Sequence, residues 1–225
     1  MNLSNQMFDV IKGNLEVLEQ GLQEAVTSTN DLVTEVGMHI VTSGGKRIRP
    51  ALCLLSARGG RAFDLPHVLP LAEALELIHT ASLVHDDVID EADTRRGAAT
   101  ANARWNNQVA ILSGDYIFAR AFTLIAEEGY DPYVSKRLAD LVCNLSVGEI
   151  IQDHAVYQAS RGMADYYERI QKKTADFLEI CCELGSRSMA TASAWPSRSR
   201  MTSSTSSRRL RQSASRPAMT SARGS

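Results

Sequence analysis

Cysteine is scarce in this chain: Cys53, Cys143, Cys181 and Cys182 are the whole complement, and none forms a Cys-x-x-Cys pair. That excludes a disulfide framework and, with no His and Cys at regular spacing, a structural zinc site. The four read as reduced, buried thiols of a cytoplasmic protein. No window approaches about 18 consecutive apolar residues, so no bilayer-spanning segment is expected. Met1-Asn2-Leu3-Ser4-Asn5-Gln6 lacks the basic and apolar regions of a secretory signal. Alternating strand patterns and Asn-Gly hairpin signals are also missing, which argues against a β-rich fold. No Asp or Glu follows Gly185, whereas the segment from Ser186 to Ser225 holds eight Arg. The preceding body therefore has 16 basic against 26 acidic groups, a balance of −10. An acidic body does not suit a nucleic-acid partner.

What the chain does have is helical periodicity. Met7-Val10-Ile11-Leu15-Leu18-Leu22 and Leu32-Val33-Val36-His39-Ile40 recur at helical steps. Further helical segments follow the Gly44-Gly45 break, the Leu65-Pro66 start, and the runs Val109 to Ile125, Val134 to Tyr157 and Tyr166 to Leu184. The expected class is all-α, an antiparallel helical bundle.

One apolar segment ends in His85-Asp86-Asp87-Val88-Ile89-Asp90, with Arg95-Arg96-Gly97 just beyond. On a helix Asp86 and Asp90 lie one turn apart and Asp87 and Asp90 three residues apart, so all three carboxylates are expected to converge on one face. Like charges at this spacing repel. Mg²⁺ resolves the conflict, because it takes carboxylate oxygens while keeping positions for water and substrate phosphates. Guanidinium groups grip phosphate oxygens in pairs, so the block reads as a magnesium–diphosphate site.

Ser43-Gly44-Gly45-Lys46-Arg47-Ile48-Arg49-Pro50 places three cations on a flexible turn before a helix. It is not a P-loop, since Ile40 stands where a Gly is needed and no Ser or Thr follows Lys46. A solvated basic loop is the plain alternative; beside a diphosphate motif, anion binding fits better. His79 is open between core and site, and His85 reads as a satisfied core residue. Gln152-Asp153 and Lys172-Lys173-Thr174 are surface polars or further site groups.

Taken in order, Gly-Gly-Lys-Arg-x-Arg-Pro, His-x-x-x-x-x-His-Asp-Asp-x-x-Asp-x-x-x-x-Arg-Arg-Gly, the Gln-Asp helix and the Lys-Thr pair resemble the trans-prenyltransferases, and more narrowly the bacterial long-chain polyprenyl diphosphate synthases. The resemblance runs from about Met1 to Gly185 and implies the isoprenoid-synthase helical bundle. It implies that Asp86, Asp87 and Asp90 hold Mg²⁺ on an allylic diphosphate, with Arg95 and Lys173 gripping the same group. Lys46, Arg49, His79 and Arg96 would bind the diphosphate of isopentenyl diphosphate. Gln152 and Asp153 would line the opposite side, and Thr174 would steady a carbocation. Ala81 and Ser82, small residues one turn before Asp86, imply a product beyond the C15–C20 range. A homodimer or heterodimer is implied for an intact member. A class I terpene synthase also uses Asp-rich metal binding, but it has no second diphosphate to occupy the Gly44–Arg49 turn. A non-catalytic partner subunit of a heterodimeric synthase is the other alternative.

The chain departs from the family after Gly185, where the second Asp-rich motif is missing. Met189 to Met201, read from each third base with permitted codons, yields Gly-Tyr-Arg-Leu-Gly-Met-Ala-Phe-Gln-Ile-Thr-Asp, followed by Asp-Ile-Leu-Asp. Several positions are forced: Met201-Thr202 requires an Asp codon, Met189-Ala190 a Gly and Trp195-Pro196 an Ala. The expectation is two segments: 1–185, the N-terminal part of a prenyltransferase domain, and 186–225, a Ser/Arg-rich tail read as out-of-frame and disordered, with a genuine Ser/Arg-rich tail as the alternative. Loss of the second motif predicts a poorly stable chain with little activity of its own.

Overall fold

Asn30 accepts a hydrogen bond from the Val33 amide at 3.2 Å and starts a helix where Thr27-Ser28-Thr29 gives way to apolar residues. The computed structural model describes residues 8–60, 63–155 and 162–192. Their helices are α1 (Lys12–Ala25), α2 (Asp31–Thr42), α3 (Ile48–Arg58), α4 (Leu65–Ile89), α5 (Ala101–Arg104), α6 (Asn107–Glu128), α7 (Pro132–Ala155), α8 (Met163–Ile170) and α9 (Asp176–Ala192), with a π-helical turn, Gln171–Ala175, between the last two. The all-α expectation holds.

The spine is α4. Val68, Leu71, Ala72, Ala74, Leu75, Leu77, Ile78 and Ala81 are buried around its circumference, the mark of a central helix. It packs along α6 and also meets α3, α9 and α1. The pairing of α3 with α9 is close: a Cβ on Gly185 would stand 2.2 Å from the Cys53 carbonyl oxygen. Only glycine permits the backbones to approach so nearly. That helix also runs past the expected boundary at Gly185, continuing to Ala192. Residues 193–225, the bulk of the proposed tail, lie outside the described residues.

Two expectations are revised. A two-stranded hairpin, β1 (Thr94–Arg95) and β2 (Ala98–Ala99), follows the Asp-rich block. Its two-residue loop is Arg96-Gly97, with φ of 54° and 84°. Positive φ at both positions is the type I′ pattern whose twist suits a hairpin, here achieved without Asn. Cys143 is exposed on α7 and Cys182 only half-buried, whereas Cys53 and Cys181 are buried as expected. Helix α6 is long and apolar enough to cross a membrane by length and composition, though it lies against α4 within the bundle.

Candidate diphosphate site

The last four turns of α4, the β1–β2 hairpin and the end of α2 enclose a cavity bordered by His39, Arg47, Glu76, His79, Asp87, Arg95 and Arg96. The hairpin turn brings Arg96 across to the Gly44 carbonyl, to which its Nη1 donates. A Cβ on Gly45 would stand 2.6 Å from that same nitrogen, so the second glycine makes room for the guanidinium. Arg96 is exposed and Arg95 half-buried. The Arg95 Nε donates to Asp87 Oδ1 at 2.7 Å.

Burial pushes the His79 imidazole down to about 3, and Arg49, Arg96, Arg95 and Arg47 add to the shift by repelling a further positive charge. His79 is therefore neutral at physiological pH and offers an N–H donor without charge. Its ring meets Phe177 edge-on at 6.0 Å, and the Arg49 guanidinium lies over the same ring at 4.6 Å. Arg49 Nε is buried with no hydrogen-bond partner. Lys46 is exposed on the turn.

A second group of side chains forms where α7 faces the π-helical turn. Lys173 Nζ donates to Glu149 Oε2 at 2.5 Å and to Gln152 Oε1 at 3.3 Å. Gln152 Nε2 closes the triangle on Glu149 Oε1 at 2.9 Å. Burial raises the Asp86 carboxyl above its ordinary range and the Glu149 charge raises it further, while Lys173 lowers it and Asp90 raises it again. Asp86 thus senses both the other Asp of its own helix and the α7 group. Thr174 and Asp153 are exposed.

The three Asp side chains do not share one environment. Asp87 is buried and held by Arg95, while Asp90 is exposed at the helix end, its amide bonded to the Asp86 carbonyl at 2.8 Å. Among the described residues, no set of three or more His, Cys, Asp or Glu side chains is gathered closely enough to hold a metal ion. Arg95 engages Asp87, and Asp86 and Asp87 both feel the Asp90 charge. The donor set fits Mg²⁺: it is all oxygen and lies at one helix end, and burial, with the Asp90 charge added, raises the carboxyls of Asp86 and Asp87, which a divalent cation relieves.

Two carboxylates escaped the sequence reading. Glu149 lies three residues before Gln152, a spacing that places both on one helix face. Glu76 lies three residues before His79 but is hidden in an apolar run. Ala81 is fully buried in the main core, and the half-buried Ser82 bonds to the His79 carbonyl at 2.8 Å. His85 is half-buried against Phe118, with Nε2 3.2 Å from the Ile111 carbonyl.

An Asp-rich helix end facing cationic groups from a separate turn and hairpin, on an all-α scaffold, defines an isoprenoid-synthase-type bundle. The chain belongs to the polyprenyl synthetase family, whose pattern it matches over residues 30–201. It is 42% identical over 179 residues to heptaprenyl diphosphate synthase component 2 of Geobacillus stearothermophilus, covering 80% of this chain and 55% of the relative. It is 40% identical over 166 residues to the all-trans-nonaprenyl-diphosphate synthase (geranyl-diphosphate specific) of Rhodobacter capsulatus, covering 74% of this chain and 50% of the relative. Among solved structures, the heptaprenyl diphosphate synthase of Staphylococcus aureus superposes with a TM-score of 0.76 at 32% identity, covering 80% of this chain and 56% of that one. The chain spans about half the length of the curated relatives it matches.

Proposed function

We propose that this chain carries the first half of a cytoplasmic polyprenyl diphosphate synthase, which condenses isopentenyl diphosphate with an allylic diphosphate into a long-chain trans product. The observation that supports it most is the juxtaposition of two unlike anion-binding groups on one helix, α4. Asp86, Asp87 and Asp90 stand at its end, while His79 lies two turns earlier beside Arg49 and Arg96. A single-substrate cyclase needs only the first group, so the second argues against a class I terpene synthase.

Mg²⁺ held by Asp86, Asp87 and Asp90 would supply positive charge to an allylic diphosphate. Arg95 and Lys173 add donors to the same group, Lys173 by leaving Glu149. Lys46, Arg49, Arg96 and the neutral His79 hold the diphosphate of isopentenyl diphosphate. Departure of the allylic diphosphate breaks the C–O bond and leaves a carbocation, which the double bond of isopentenyl diphosphate attacks; loss of a proton completes the condensation. Gln152 and Asp153 border the opposite wall and Thr174 steadies the cation. The released pyrophosphate is the base. Apolar walls exclude the water that would quench the cation. Ala81 and Ser82 leave the floor open for a product longer than C20.

The second Asp-rich motif is not among the residues present, so we propose that this chain alone turns over weakly or not at all. Its role as a partner subunit is the second reading, favoured by the relative named as component 2 of a heptaprenyl diphosphate synthase. The test is incorporation of radiolabelled isopentenyl diphosphate onto an allylic primer with Mg²⁺, run on the chain alone and mixed with a full-length synthase. Co-purification with that synthase without turnover supports the partner role, and full magnesium-dependent turnover by the chain alone overturns the proposed deficiency. No binding of any diphosphate, with or without Mg²⁺, overturns the whole reading. The out-of-frame proposal for residues 186–225 is tested by the nucleotide sequence across those codons: a shifted frame encoding Asp-Asp-x-x-Asp sustains it, and its absence refutes it.

A further inference from the structure

The cationic turn before α3 holds three side chains, Lys46, Arg47 and Arg49, but they do not behave alike. Arg47 is only 9% exposed and turns into the bundle. Its Nε donates to Glu19 Oε1 at 2.5 Å and its Nη2 to Glu19 Oε2 at 2.9 Å, a paired contact with α1. Its Nη1 donates to Glu76 Oε1 at 2.9 Å on α4, and Nη2 also donates to the Val41 carbonyl at 2.8 Å on α2. Four of its five N–H donors are thus committed to protein. Burial alone would lower its pKa, but the two carboxylates outweigh it and hold the guanidinium charged. The backbone is fixed as well: Arg47 has φ of 47°, in the left-handed region, as the N-cap of α3. Such a conformation is unfavourable in a non-glycine residue and persists where contacts impose it.

We propose that Arg47 is a positioning residue for the isopentenyl diphosphate subsite. Pinned between α1, α2 and α4, it sets the Gly44-Gly45 turn and the first turn of α3, and so fixes the backbone that carries Lys46 and holds Arg49 beside His79. This inference rests on the function proposed above. It also assigns Glu19 and Glu76, carboxylates that would by charge alone repel an anion, a role in anion binding.

The consequence has an unusual sign. Glu19→Gln removes a negative charge near an anion site, which by Coulomb attraction alone should tighten anion binding. Under the clamp it weakens binding, because an amide NH₂ then opposes the Arg47 Nη2 donor and the paired contact is lost.

The experiment is calorimetric titration of the full chain with inorganic pyrophosphate in metal-free buffer, alongside thermal unfolding. Glu19→Gln is expected to weaken binding about tenfold, and Arg47→Lys to do the same. The double variant should be no weaker than Arg47→Lys alone, whereas Lys46→Gln multiplies the loss, as independent groups do. A merely structural clamp would lower the unfolding midpoint but leave the pyrophosphate constant of the folded chain unchanged, and that result overturns the proposal. So does Glu19→Gln binding as well as wild type or better. Glu19 has a side chain 40% exposed, so its variant carries the test even where Arg47→Lys does not fold. A wild-type chain that takes no pyrophosphate overturns the functional reading and the role of Arg47 with it.

Discussion

Replacing Arg49 by Met should make the protein more stable while removing anion affinity. The guanidinium is half-buried and burial lowers its pKa, with the Glu76 charge offsetting that only in part. Its Nε has no partner. A buried donor left unsatisfied costs about 1–3 kcal/mol. Against this stands the contact with the Phe177 ring at 4.6 Å, worth about 0.5–1 kcal/mol. Methionine fills a similar volume and keeps contact with the ring through its sulfur, so the net gain is about 1 kcal/mol. With a urea dependence of about 2 kcal/mol per molar, the midpoint rises by about 0.5 M. Circular dichroism in a urea series reads that shift, and pyrophosphate titration of the same variant should show affinity falling at least about tenfold. A midpoint lower than wild type by a comparable amount refutes the reasoning. Arg49 would then be a favourable structural group and not a cation kept in place for a ligand.

Gly185→Ala sets a Cβ 2.2 Å from the Cys53 carbonyl and must separate α3 from α9; a loss of about 1–3 kcal/mol is expected in urea unfolding. Glu73 is 6% exposed, and burial, with Glu24 and Glu128 nearby, lifts its carboxyl to about 7 from 4.5. The folded state therefore binds the extra proton between those values, so stability is greatest below 4.5 for this group and falls as pH rises towards 7, by up to about 3 kcal/mol. Unfolding curves at several pH values should show that decline, and Glu73→Gln should abolish it. Ala81→Phe, at a position with no exposure, overpacks the core by about 1–3 kcal/mol, and in an assembly that turns over it should shorten the product, read by chromatography.

Much of the fold was legible because its signals are local and repetitive. The apolar steps through Leu18, Leu22, Val36 and Leu75 fall on buried faces, and the Leu65-Pro66 start matches a helix that begins there. The hairpin was not legible, since Arg96-Gly97 reaches through position and backbone what Asn-Gly announces by composition. Nor was the fate of Arg47. Three cations in a row invite one reading, and only the distant Glu19 and Glu76 separate the clamp from its neighbours. Glu149 was passed over for a related reason: its partner Lys173 lies 24 residues on, in the π-helical turn. Motifs display the groups that face a ligand, while the groups that hold those in place depend on pairings that only the folded chain makes.

The π-helical turn at Gln171–Ala175 gives the end of the described chain a further property. A wide turn inserts one residue without breaking the helix, and each residue of an α-helix advances the side-chain direction by about 100°. Lys173, within the turn, is aimed at α7, and Phe177, just after it, at Arg49 and His79. The turn thus works as a phase adjuster between a side chain that meets α7 and one that meets α3 and α4. Deleting a single residue there would leave Phe177 seated in the core and swing the lysine out of reach of Glu149, while the helix itself stayed whole.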